Sequence, residues 1–220
     1  MRNAVLLANG LVLTTDNSAA IGEKEHDIVA VPDELVSYFA ARVALLEQWA
    51  ASAYPVSIVV HNFTGNESWN NYLSGIKKLF HEIGEECPVI TGSSESNMAT
   101  LQSAMAVTMI GEKKEKLLEP YNWFVYGKPC VGNEVIEEAE RIADIQKIWE
   151  ALCSGLVQRV WPVGSSGILG ECKQLGLQGK ISDWDIVKSA GPATTVLLGI
   201  TTSRLEEAKK YFGKYFDLLH

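Results

Sequence analysis

Thr91-Gly92-Ser93-Ser94-Glu95-Ser96-Asn97 is the stretch on which the reading of this chain turns. The apolar residues 88–90 before it read as a strand. A second apolar run follows and closes in Ala106-Val107-Thr108-Met109-Ile110-Gly111. A strand that stops in a Gly/Ser-rich turn offers backbone N–H groups and hydroxyls, which suits a phosphate. Glu95, in the middle of that turn, would repel a phosphate unless a cation sat between them. Hydroxyls and an acid together point to a nucleotide with Mg²⁺. The competing reading is a solvated, serine-rich hairpin loop.

Upstream, residues 11–15 form a short apolar strand ending at Asp16. An acid at a strand end before a small-residue turn, here Asn17-Ser18-Ala19-Ala20-Ile21-Gly22, is a place for a catalytic or metal-binding carboxylate. It is equally a common turn-starting residue. Lys24 could meet phosphate as a point charge, or be solvated between Glu23 and Glu25. Residues 28–31 read as a strand. Pro32 and Asp33 open a helix that runs to about Ser52, with Asp33 as its N-terminal cap. Val36, Phe39, Val43, Leu46 and Ala50 share one stripe of that helix, while Glu34, Ser37 and Gln48 lie off it and are expected in solvent. Glu47 falls inside the stripe. A buried carboxylate there needs a core-facing Arg or Lys, or else a metal or substrate role. Residues 56–60 read as a buried strand and 70–83 as a helix ending at Gly84. Asp16, Glu47 and Glu95 thus come from three separated segments, each an acid in an odd place. They can share a metal cluster only if the fold brings them close, since Mg–O distances are about 2.1 Å.

Glu112-Lys113-Lys114-Glu115-Lys116 is a charged connector. It divides an N-terminal domain, residues 1–112, from a C-terminal one, residues 120–220. The second part reads as a strand at 122–126, a helix at 133–152, a strand at 157–163, a helix at 168–175, a strand at 195–200 and a final helix at 205–218. Gly164-Ser165-Ser166-Gly167 lacks Walker-loop spacing and reads as a tight turn. Mixed strands and helices in both halves give an α+β (α/β-like) protein.

The bulk numbers exclude several classes. The 220 residues are 47% hydrophobic and 21% charged, with a formal charge of −8. That balance argues against nucleic acid and anionic membrane surfaces, which need a basic face. No apolar run approaches the roughly 20 residues that span a bilayer. Residues 1–10 read as a first strand and not as a signal peptide. Cys87, Cys130, Cys153 and Cys172 form no CxxC pair, which fits reduced thiols in a cytoplasmic protein. His26, His61, His81 and His220 form no metal-binding pattern. His61-Asn62, at a strand end, is a candidate substrate contact. The six tryptophans read as core residues.

The order of these motifs resembles the PurM-like superfamily of aminoimidazole ribonucleotide synthetase, thiamine-monophosphate kinase and selenophosphate synthetase. The resemblance is carried by Thr14-Thr15-Asp16, by Leu46-Glu47 through Ala53-Tyr54-Pro55, and by Gly92-Ser93-Ser94-Glu95 through Ile110-Gly111. Ile21 to Asp27, Phe39 to Glu47, Ile90 to Ser93, Pro162 to Ser165 and Ser189 to Thr194 are similar to the α-ribazole kinases of cobalamin salvage. The resemblance implies an N-terminal sheet domain that dimerises, a smaller C-terminal α+β domain, and a nucleotide site near the dimer interface. It implies ATP and Mg²⁺ as cofactors and a nucleoside as substrate. Asp16, Glu47 and Glu95 would hold Mg²⁺; Gly22, Lys24, Gly92, Ser93 and Ser94 would handle ATP phosphates; Asp27 and Asn62 would contact substrate or metal. Relatives carry Gly-Gly-Asp or Gly-Gly-Glu where this chain has Gly-Ser-Ser-Glu, and glycines where it has Ala19-Ala20. They also carry a longer segment before the acid at Asp16. These departures favour an alternative, a non-catalytic relative that binds nucleotide or nothing; an ATP-dependent synthetase of the same superfamily is a further alternative.

Overall fold

Residues 104–111 alternate buried and half-buried side chains, the pattern of a strand with one face on a core and one face away from it. In the computed structural model, which describes residues 2–115, 117, 119–179, 181 and 184–219, this strand is the centre of the first of two compact units, Met1–Glu115 and Lys116–His220. Lys116 of the charged connector, Met1 and His220 lie outside the described residues. Among the described residues, the first unit contains β1 (Val5–Leu6), β2 (Leu11–Ala19), β3 (Ile21–Gly22), β4 (Val29–Ala30), α1 (Asp33–Ala50), β5 (Ala53–Asn62), α2 (Trp69–Glu82), β6 (Val89–Ser94) and β7 (Ala104–Lys113).

The main sheet runs β1-β2-β7-β5-β6. All its pairs are antiparallel except β5–β6. Pairing register sorts its side chains into rows. Thr14, Met109, Ile58 and Ile90 form one row, Asp16, Val107, Val60 and Gly92 the next, and Ser18, Met105, Asn62 and Ser94 the third. Buried Val12, Thr14, Val107, Met109, Ile58 and Val60 place these rows on the face covered by α1. The opposite face carries an apolar row, Val5, Leu13, Ile110, Ser57 and Val89, then a row of Thr15, Thr108, Val59 and Thr91.

Helix α1 matches its expected span but not its expected faces. From Ala40 to Ala50 every residue is buried, and Ser37 and Gln48, expected in solvent, are fully buried. Gln48 Nε2 reaches the Val12 and Met109 carbonyls at 3.1 and 3.0 Å and the Thr14 hydroxyl at 3.1 Å, tying α1 to β2 and β7. Helix α2 packs so tightly on the first turn of α1 that a Cβ at Gly75 would collide with the Glu34 carbonyl and the Ser37 hydroxyl. Asp33 is not the cap expected. Pro32 occupies that position, and Asp33 is buried in the first turn.

The second unit contains β8 (Asn122–Tyr126), α3 (Glu134–Glu137), α4 (Ile145–Cys153), β9 (Arg159–Pro162), α5 (Gly167–Leu175), β10 (Val196–Ile200), α6 (Leu205–Phe212) and β11 (Phe216–Leu218). Its antiparallel sheet runs β11-β8-β10-β9. Val125, Leu197 and Trp161 join Ile168 and Cys172 of α5 in one core. Tyr126 and Phe124 meet Phe212 and Phe216 instead. Strand side chains alternate faces, so the sheet is covered on both. Two expected helices are shorter than read. The run 133–152 breaks because Asp144 takes an extended conformation and accepts from Lys147 N at 2.9 Å, capping α4. The run 205–218 stops at Phe212, where Gly213 has φ 68° and frees residues 216–218 to pair with β8.

Because Gln48 closes three contacts at once, Gln48→Ala should cost roughly 2–4 kcal/mol. Urea unfolding monitored by circular dichroism measures this. A loss under about 0.5 kcal/mol, the range of an ordinary surface change, would mean that the tie contributes little.

Candidate functional site

Asp16 does not end its strand. β2 continues three residues beyond it because β7 pairs along the full length, Asp16 opposite Val107 and Ala19 opposite Ala104. Period-2 alternation puts Asp16 on the same side as Val12 and Thr14, toward α1. Thr14 Oγ1 donates to the Ala44 carbonyl at 2.9 Å, which fixes α1 against this strand. Glu47 on α1 is fully buried and forms an ion pair with Arg2, and Asn3 N points to its second oxygen at 3.4 Å. The core-facing Arg or Lys partner expected for Glu47 is therefore Arg2.

Burial pushes the Asp16 carboxyl up to about 7. The Glu47 charge adds to that rise, while the Asn17 N–H and the Arg2 charge oppose it. Asp16 and Glu47 thus stand within electrostatic reach, each a hard oxygen donor in a setting that favours a cation.

Glu95 is elsewhere. Asp16 and Gly92 share a row but are three strand spacings apart, about 14 Å. Glu95 lies beyond the end of β6, its N–H donating to the Asn62 carbonyl at 2.7 Å. Among the described residues, no group of three or more His, Cys, Asp or Glu side chains is placed to hold a metal ion. A two-carboxylate Mg²⁺ site, completed by water and phosphate oxygens, fits Asp16 and Glu47 by donor chemistry. A single-chain site that adds Glu95 does not fit.

The Gly/Ser stretch is itself a strand. Thr91 to Ser94 belong to β6, and the turn comes after them. Gly92 and Ser94 lie in helix-facing rows, whereas Ser93 pairs with His61 and faces the other way. A Cβ on Gly92 would collide with the Val60 backbone, so close strand packing requires this glycine. Gly22 is likewise pressed on Ser103 and Asp33, with φ 153°. The turn's amides are taken up internally. Glu95 Oε1 accepts from Asn97 N at 2.6 Å and Met98 N at 3.2 Å, and these bonds hold its carboxyl below the usual range.

The other site residues knit three loops together. Lys24 Nζ donates to the Thr100 carbonyl at 2.8 Å and hydroxyl at 2.7 Å. Asp27 accepts from Lys24 N at 2.9 Å and Ser103 N at 2.8 Å. Buried Asn62 donates to the Gly65 carbonyl at 2.6 Å and the Ser94 hydroxyl at 2.9 Å. A cavity of about 350 Å³ opens between these loops, lined by Lys24, Gly65, Asn66, Glu95, Asn97 and Met98. A second, also about 350 Å³, is lined by Asn66, Trp69, Gly92, Ser93 and Ser94. The sequence reading missed Arg2, Asn66 and Thr100. Only Arg2 carried a signal, as a cation near an apolar arm that can reach a buried acid.

A helix-backed sheet in one unit and an antiparallel sheet covered on both faces in the other make a PurM-like two-domain α+β fold. Thiamine monophosphate kinase from Aquifex aeolicus matches it with a TM-score of 0.64 at 11% identity, covering 100% of this chain and 88% of that one. T. maritima PurL complexed with AMPPCP matches with a TM-score of 0.59 at 14% identity, over 99% of this chain but only 41% of PurL. A chain of a HypE–HypF complex matches with a TM-score of 0.57 at 11% identity, over 99% and 85%. No protein-family profile matches the sequence, and no curated protein does.

The Asp16 carboxyl stands near 7 against an ordinary 3.8, so the folded chain holds that proton more tightly than the unfolded one. The group's contribution to stability is full below about pH 4 and is lost as pH rises through about 7. Asp16→Asn should therefore melt higher than the parent chain at about pH 8, with the advantage gone near pH 4. Thermal melts at both pH values check this, and an advantage equal at both would contradict it.

Proposed function

We propose that this chain is an ATP- and Mg²⁺-dependent small-molecule kinase. Its acceptor is the ribose 5′-hydroxyl of α-ribazole, and its product is α-ribazole 5′-phosphate. The observation that carries this reading is the pairing of Asp16 with Glu47 on adjoining β2 and α1, within a fold shared with a thiamine monophosphate kinase over the whole chain. In phosphoryl transfer the protein mainly positions the reactants and offsets their charge. Mg²⁺, when bound, would supply that offset at Asp16 and Glu47. Lys24 and the loop 95–99 border one cavity, and Gly92, Ser93 and Ser94 border its neighbour; in the proposed complex these would hold the parts of the ligands remote from that ion. Gly22 and Asp27 shape the loop that carries Lys24, and Asn62 holds the loop beside Ser94. Incubation with ATP, Mg²⁺ and α-ribazole should yield α-ribazole 5′-phosphate by mass spectrometry. Asp16→Asn should reduce that product by about a hundred-fold or more. Absence of product in the parent chain, with ATP still bound by calorimetry, would overturn α-ribazole as the acceptor.

A second reading, a non-catalytic relative that binds nucleotide or nothing, draws on the internal satisfaction of both glutamates, Glu47 by Arg2 and Glu95 by its own loop amides. Absence of both product and ATP binding would select it. The AMPPCP complex of PurL keeps the synthetase chemistry as a further alternative.

We also propose a homodimer that buries the sheet face opposite α1. Val5 and Val89 on its apolar row are 55% and 75% exposed, a cost that a second copy would relieve. Ile110→Glu in the middle of that row should turn a dimer into a monomer in sedimentation equilibrium, and an unchanged mass would reject this face. The four free thiols support a cytoplasmic location. No helix among the described residues is long and apolar enough to cross a membrane.

A further inference from the structure

We infer that Arg2 is an internal competitor for the cation site at Asp16 and Glu47, and that divalent metal enters only when the arm carrying Arg2 withdraws. The inference rests on the reading of those two acids as metal ligands, and concerns how that site is regulated. Glu47 is 0% exposed at its side chain, and a buried carboxylate is costly without a positive partner. Arg2 supplies that partner now, its own side chain only 11% exposed. Asn3 adds a backbone N–H toward the second oxygen. The Arg2 charge is also felt at Asp16, as the smallest of the influences on that carboxyl. A metal ion and a guanidinium cannot occupy the same carboxylate oxygens.

The strand pairing that follows Arg2 and Asn3 is short. β1 pairs with β2 through two positions, Val5 with Leu13 and Leu6 with Val12. Val5, Leu6 and Leu7 are 55%, 45% and 36% exposed. Ala4 is the arm's contact with the small core of Val12, Ala51 and Ala53. A short edge strand with exposed apolar side chains opens at low cost compared with the buried body of the sheet. Apparent metal affinity then falls by the fraction of chains whose arm is open.

The test is Mn²⁺ binding by calorimetry to the parent chain and to Arg2→Ala. The variant should bind about ten-fold or more tightly, and Arg2→Ala/Glu47→Gln should lose that gain. Arg2→Ala strands a buried charge, so it should melt lower than the parent chain in EDTA and recover with Mn²⁺. The parent chain should also lose the segment ending at Arg2 to trypsin faster when Mn²⁺ is added. Equal Mn²⁺ affinity in parent and variant would overturn the competition and leave the metal site standing. Binding by neither protein at millimolar Mn²⁺ would overturn the metal site itself, and this inference with it.

Discussion

A carboxylate sits in the last turn of α1, a helix buried along most of its length. Glu47 on α1 has apolar neighbours along its own helix, which packs on the sheet, so a positive group must lie against it if the helix is to stay where it is. Much of the first unit follows from that constraint. The arm before β2 folds back to deliver Arg2, and β1 pairs at the sheet's edge. Asp16, one strand away, takes on a proton affinity far from that of an ordinary aspartate. The same helix carries Gln48, Ser37 and Arg42 inside, so its packing depends on polar matching as much as on apolar area.

Placement of the strands by pairing, and not by local preference, explains where the sequence could be read and where it could not. The spans of α1 and β8 were legible because Pro32 marks the start of one and the apolar run of the other agrees with its surroundings. Gly92, Ser93 and Ser94 favour turns by composition, yet Val60, His61 and Asn62 offer them a complete parallel partner, and the pairing wins. The same override extends β2 through Asn17, Ser18 and Ala19. Gln48 looked solvent-facing because a helical wheel assumes one wet side, and α1 has almost none. Asp144 and Gly213 are local signals that a composition-based helix reading passes over.

The candidate site was legible in part. Glu47 was recognisable as a misplaced charge, and the position of Asp16 beside it follows from strand and helix order. The separation of Glu95 from these two was not legible, because it depends on β7 and β5 lying between β2 and β6. Its carboxylate fills the amide positions that a ligand's phosphate would use, and each glutamate is therefore satisfied by a different part of the chain.

The strand order also has a consequence for synthesis. β7 is the last strand of its unit to leave the ribosome, yet it lies between β2 and β5, and Leu11 pairs with Glu112. The sheet cannot close until about a hundred intervening residues have emerged. Until then the Leu11–Ala19 segment has no long partner, and the Ala53–Asn62 and Val89–Ser94 pair has an open inner edge. Contacts so distant in sequence slow folding and prolong the exposure of strand edges. The nascent first unit thus carries unpaired strand edges throughout the interval before residue 113 is made.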